Sequence, residues 1–212
     1  MLHKNPLIVS PETINLIQEL QLLPQLKEFY LVGGTALALQ LGHRNSIDID
    51  LFSISDFETS DIINLIKSRY VFEERFVRKN TIIGVINHIK VDFISHPYRL
   101  VKPPISEEGI TFLSMEDIAA MKMHAIVNSG QRLKDFIDIY FLLEHFSIKQ
   151  MLQFYEAKYE RTNPLIALKA ITFFGDIDES VDPPKMKKKI SLEKIKSRIH
   201  HAVDHSTKIF KK

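Results

Sequence analysis

Apolar and polar positions are patterned differently in the two halves of the chain. In the first half short alternating runs dominate. IDIDLFS (47–53) places Ile47, Ile49 and Leu51 on one face. HIKVDFIS (88–95) places Ile89, Val91 and Phe93 on one face and Asp92 on the other. YVFEERFV (70–77) and TIIGVIN (81–87) complete a set of candidate strands, with Asn87-His88 as a tight turn before the last of them. FYLVGG (29–34) reads as a further short strand, running into a helix over TALALQLG (35–42) that Gly42 stops. Ser10-Pro11-Glu12 starts a helix through INLIQELQLL, with serine at the cap and proline in the first turn, and another helix is expected over 58–69.

Pro97 to Gly109, containing VKPPISEEG, reads as a connector rich in turn residues. Beyond it the period becomes helical, with helices expected at 114–128, 133–146, 148–160 and 164–174, a VDPP loop, and a last helix over 191–210. The expected organisation is therefore a mixed α/β region over residues 1–100 followed by a helical region over 101–212.

Composition adds three constraints. A chain of 212 residues with 45% hydrophobic and 25% charged content is long enough for a real core and ordinary for a globular protein. No apolar run reaches the roughly 18 residues of a membrane span, and the N-terminus lacks the apolar core of a secretory signal. Cysteine is absent, which excludes disulfides and cysteine–zinc sites. The expectation is a cytoplasmic protein with no membrane partner. Net charge is +2, but residues 185–212 hold ten Lys/Arg against two acids. That tail suits a polyanionic partner such as RNA, or is a solvated helix with a lysine-rich face.

Two features carry chemistry. The first is the pair Asp48 and Asp50 inside the apolar run IDIDLF. Buried carboxylates are costly unless paired, protonated or bound to metal. On a strand both point to one face, about 6.5–7 Å apart along the chain, so one oxygen of each can share a divalent cation. If strands 47–53 and 88–95 are neighbours, Asp92 joins them in a set of hard oxygen ligands suited to Mg²⁺ or Mn²⁺. Gly33-Gly34-Thr35 lies at a strand-to-helix junction, where amides can approach a phosphate. Arg44 either contacts phosphate or pairs with a nearby acid. Ser46 is a strand-entry residue whose hydroxyl is close enough in sequence to reach the acidic site.

The second feature is SMEDIAAMKMHAIVNSGQRLKDFIDIYFLLE (114–144). Met115, Ile118, Ala119, Ala125 and Ile126 form an apolar seam, and Lys122 occupies that seam. It either snorkels to solvent or faces a site that needs positive charge, such as a triphosphate. Asp135 and Asp138 share a face of a helix that is apolar almost all round. They either pair structurally with Lys134 or Arg132 or serve a site. His201 and His205 have chelating spacing but lack the glutamate of an HExxH motif, and with His200 they read as a polar face.

GGTALAL followed by HRNSIDIDLF, together with the 114–144 block, resembles the AbiEii/AbiGii toxin family of the nucleotidyltransferase fold. The resemblance covers roughly residues 28–145. It implies a mixed β-sheet with flanking helices followed by a C-terminal helical bundle, with the active site in the cleft between these regions. It implies transfer of a nucleoside monophosphate from an NTP to an RNA (tRNA) or protein acceptor, with two Mg²⁺ held by Asp48, Asp50 and Asp92. Gly33, Gly34 and Thr35 would cradle phosphates, Lys122 would neutralise them, and Lys122 and Asp135 match the family's functional positions. A cognate antitoxin is the implied partner. A kinase-like phosphotransferase and a catalytically inert nucleotide- or RNA-binding relative are the alternatives.

Overall fold

The computed structural model describes residues 1–181, 183–186 and 189–211. The chain divides into two compact units, Met1–Tyr98 with Pro103–Leu113, and Arg99–Lys102 with the residues from Ser114 onward.

The first unit holds the sheet. Helix α1 (Pro11–Gln21) begins where Ser10 Oγ accepts from Thr13 N–H, with Pro11 at the first helical position, and it buries Ile14, Leu16, Ile17 and Leu20. Strand β1 (Tyr30–Val32) leads straight into α2 (Gly33–Leu41), which ends at Gly42 in the left-handed conformation. Then come β2 (Ile49–Ser53), α3 (Thr59–Lys67), β3 (Phe72–Arg78), β4 (Thr81–Ile86) and β5 (Ile89–Ser95). The β4–β5 connection is the two-residue turn Asn87-His88, both with positive φ, as a tight twisted hairpin requires.

Two further strands, β6 (Ile105–Glu107) and β7 (Ile110–Phe112), form a hairpin through Glu108-Gly109. The connector expected over 97–109 therefore contains a strand. Three-residue strands carry too little alternation to announce themselves. β7 is defined instead by a distant partner, pairing in parallel with β1 at Leu31–Phe112. The complete sheet is seven-stranded and mixed, in the order β3-β4-β5-β2-β1-β7-β6. β2 lies near its middle, antiparallel to β1 and parallel to β5, with Ile49 and Leu51 fully buried.

The second unit is helical: α4 (Met115–Asn128), α5 (Leu133–Leu142), α6 (Ile148–Lys158), α7 (Pro164–Thr172) and α8 (Leu192–Asp204). α4 is central, burying Ile118, Ala119, Ala120, Met123 and Ile126 and packing on α5, α6 and α7. Two helices are shorter than their periodicity suggests. α5 stops at Leu142 because Ser147 soon caps α6 in a capping box with Gln150. α8 stops at Asp204 because the chain turns back, with Phe210 N–H donating to the Leu143 carbonyl (2.8 Å) and Lys149 N–H to that of Ser206 (2.9 Å).

A buried ion pair fixes the start of α4. Lys158 Nζ lies 2.8 Å from Asp117 Oδ1, both side chains fully buried. Asp117 also accepts from Val101 N–H, Lys102 N–H and Ser114 Oγ, and Lys158 donates to the Arg99 carbonyl. With its oxygens so filled, this pair holds the Arg99–Lys102 segment to the helices, the condition under which a buried ion pair is tolerable.

Candidate active site

The parallel register of β2 and β5 sets Asp50 directly against Asp92. Both therefore project from the same face of the sheet on adjacent strands, about 4.8 Å apart across the ladder. Asp92 is 7% exposed, and its Oδ1 is buried without a hydrogen-bond partner. Its Oδ2 receives Lys90 Nζ at 2.8 Å. Lys90 and Asp92 are two apart on β5 and so share that face. Asp48 lies one residue before the ladder, outside β2. Burial pulls the Lys90 ammonium down, but the hydrogen bond to Asp92 and the charges of Asp92, Asp50 and Asp48 together raise its pKa above the ordinary lysine value. Three carboxylates thus act on one lysine.

The glycine junction is built around this pair. Gly33, which opens α2, has φ +69°, and a Cβ there would run into Asp50 Oδ2. Only glycine lets the backbone lie against that carboxylate. A Cβ on Gly34 would meet the Arg44 guanidinium, with Ser46 Oγ at 3.1 Å. Arg44 is 3% exposed and donates to the Asn45 carbonyl (2.9 Å). Thr35 is fully buried, and its hydroxyl is hydrogen-bonded to Ser46 Oγ (2.9 Å) and to the Asp48 carbonyl. Thr35, Arg44 and Ser46 therefore brace the segment that delivers Asp48.

The second motif closes on itself. Lys122 Nζ lies 2.8 Å from Asp135 Oδ1 and 2.7 Å from Asp138 Oδ2. Asp135 Oδ2 also takes Arg132 at 2.8 Å. Asp138 is fully buried and Lys122 nearly so. The seam lysine neither snorkels nor stands alone: it joins α4 to α5 through two carboxylates. Beside it on α4, His124 stacks on Tyr159 at 4.2 Å, and burial lowers its pKa below the ordinary value.

Sequence reasoning missed Lys90, Asp117 and Lys158. Lys90 had a usable signal, its place two residues before Asp92 on the polar face of β5. Asp117 had one in its spacing from the capping Ser114. Lys158 had none, because only tertiary packing brings it to Asp117. In the basic tail Lys187 and Lys188 lie outside the described residues. His201 faces His205 ring to ring and has Lys208 Nζ 3.1 Å from its Nε2.

The model of the AbiEii nucleotidyl transferase toxin, of type IV toxin–antitoxin systems, matches residues 15–205. The chain belongs to this family. An uncharacterized protein of Aquifex aeolicus (strain VF5) is 32% identical over 160 residues, covering 73% of this chain and 77% of the relative. Among solved structures the fold is similar to MenT4, a nucleotidyltransferase toxin of Mycobacterium tuberculosis H37Rv. That match has a TM-score of 0.60 and 13% identity, over 91% of this chain and 82% of the other. It is also similar to JHP933 of Helicobacter pylori, with a TM-score of 0.51 and 16% identity over 94% and 93% of the two chains. The fold is that of a nucleotidyltransferase, and no helix among the described residues is long and apolar enough to cross a membrane.

Among the described residues no three His, Cys, Asp or Glu side chains converge into a preformed metal cage. The donors still fit a hard divalent cation. Asp50 and Asp92 are adjacent carboxylates, one with an unpartnered buried oxygen. Mg²⁺ is usually held by one or two carboxylates completed by waters and substrate phosphates, not by an all-protein cage.

Proposed function

We propose that the chain transfers a nucleoside monophosphate from an NTP to a hydroxyl of an RNA acceptor. The observation that carries this reading is the alignment of Asp50 with Asp92 beside the glycine junction at Gly33. The acceptor oxygen attacks the α-phosphorus, the bond to the β-phosphate oxygen breaks, and pyrophosphate leaves with its electron pair. The hydroxyl proton passes to a carboxylate, for which Asp92 is the candidate.

Asp50 and Asp92, with Asp48 beside them, would hold Mg²⁺ or Mn²⁺. When bound, that cation supplies charge neutralisation for the triphosphate and acidifies the attacking hydroxyl. Gly33 and Gly34 offer amides to the phosphates at the start of α2. Thr35, bonded to the Asp48 carbonyl, keeps the Asp48 segment in place. Lys122 and Asp135 match the family's functional positions, and in the helical unit Lys122 is ion-paired with Asp135 and Asp138. The lysine-rich tail, ten Lys/Arg against two acids over residues 185–212, supports a polyanionic acceptor. Family membership supports a cognate antitoxin as partner.

The test incubates the protein with each α-labelled NTP, Mg²⁺ and whole-cell RNA or lysate, in parallel with γ-labelled NTP. Label from the α-position on RNA is the expected result. Label from the γ-position would make the protein a phosphotransferase, and α-label on protein would move the acceptor away from RNA.

A further inference from the structure

Asp92 has two oxygens, and neither stands open to solvent and uncontested. Oδ2 is held by Lys90 at 2.8 Å, and Oδ1 is shut away from solvent without a partner. A cation approaching Asp92 therefore meets Lys90 first. The two partners differ in freedom: the Lys90 side chain is 46% exposed and that of Asp92 only 10%. Lys90 can return to water at little cost, whereas Asp92 cannot follow it. The other carboxylates of the face, Asp50 and Asp48, lie close enough for their charges to act on the same ammonium.

We propose that Lys90 is a resident counter-ion of the carboxylate face, which a divalent cation must displace from Asp92 in order to bind there. This rests on the nucleotidyltransferase reading for the presence of the metal but adds a role for a residue outside its motifs. The exchange has two consequences. Without metal, Lys90 lets like charges stand side by side on neighbouring strands. Divalent binding is in turn weakened, because each ion bound at Asp92 must first release a salt-bridged lysine.

The experiment measures Mn²⁺ affinity by titration calorimetry or electron paramagnetic resonance, with and without a non-hydrolysable NTP analogue. It uses the wild type, Lys90→Met, Lys90→Gln, Lys90→Arg and Asp92→Asn. Nuclear magnetic resonance follows the Lys90 ammonium during Mg²⁺ titration, assigned by its absence in Lys90→Arg. Lys90→Met and Lys90→Gln should bind Mn²⁺ at least about tenfold more tightly than wild type, the scale on which neighbours of metal ligands move affinity. Lys90→Arg should bind like wild type, and the ammonium signal should change as metal saturates. Lys90→Gln keeps a hydrogen-bond donor for Asp92, so a folded comparison survives if Lys90→Met is unstable. Equal or weaker Mn²⁺ binding in folded Lys90→Met or Lys90→Gln, or an ammonium signal unmoved at saturation, would overturn the inference and leave the metal-dependent reading intact. No Mn²⁺ binding by any variant, even with the nucleotide analogue, would overturn both.

Discussion

Asp50 of β2 and Asp92 of β5 are directly paired across a parallel ladder near the middle of the sheet. Two like charges at such a position oppose the fold, since like charges directly opposite each other are destabilising. Asp50→Asn keeps the shape that Gly33 accommodates and removes one charge. We expect its apo melting temperature to equal or exceed that of wild type. A clear drop in the melting curve would contradict the account of like-charge strain at this pair.

Gly33 tests the same corner from the backbone side. An alanine there must hold a left-handed φ, costing about 1–2 kcal/mol, and its Cβ would run into Asp50 Oδ2. Gly33→Ala should lose at least that much stability in urea denaturation and lose activity through a displaced Asp50. Full stability and turnover in this variant would show that the close approach is dispensable.

Lys122 gives the largest expected change in stability. On sequence alone a seam lysine that snorkels, or faces a ligand, could be replaced by methionine without loss of stability. In the structure Lys122 neutralises Asp135 and the fully buried Asp138. Breaking such a set from one side leaves uncompensated buried charge, at about 3–5 kcal/mol. We expect Lys122→Met to melt well below wild type, and Lys122→Met/Asp138→Asn to recover part of the loss. An unchanged denaturation midpoint for the single variant would contradict the ion-pair account.

His124 adds a pH dependence. Burial lowers its pKa from the ordinary 6.5, so the folded state favours the neutral ring. Its contribution is present above about pH 6.5 and is lost as pH falls through the depressed folded value, because there the unfolded chain binds the proton more readily. His124→Phe should keep the stack on Tyr159 and flatten the acid limb of stability against pH. An identical acid limb in wild type and variant would remove His124 from that linkage.

The parts legible in the sequence were those whose signal is local. Ser10-Pro11, Gly42 and Asn87-His88 mark their boundaries through capping or φ preference. Asp48, Asp50 and Asp92 stood out because a carboxylate among β-branched neighbours needs a reason. The missed parts depend on distant partners. β7 exists through Leu31, some eighty residues away. The pairing of Lys122 with Asp135 and Asp138 depends on how α4 and α5 pack, which periodicity does not encode. Lys90 escaped notice because a lysine on the polar face of a strand looks like any solvated residue until Asp92 is found to be buried.

The most direct measurement compares wild type with folded Asp50→Asn for transfer of α-phosphate label from NTP to RNA, each at saturating Mg²⁺. The account expects wild type to label RNA, with the variant reduced by at least about a hundredfold, the scale of one lost preorganised electrostatic contact. Equal labelling by a correctly folded Asp50→Asn would contradict the claim that the paired carboxylates of the sheet carry the chemistry.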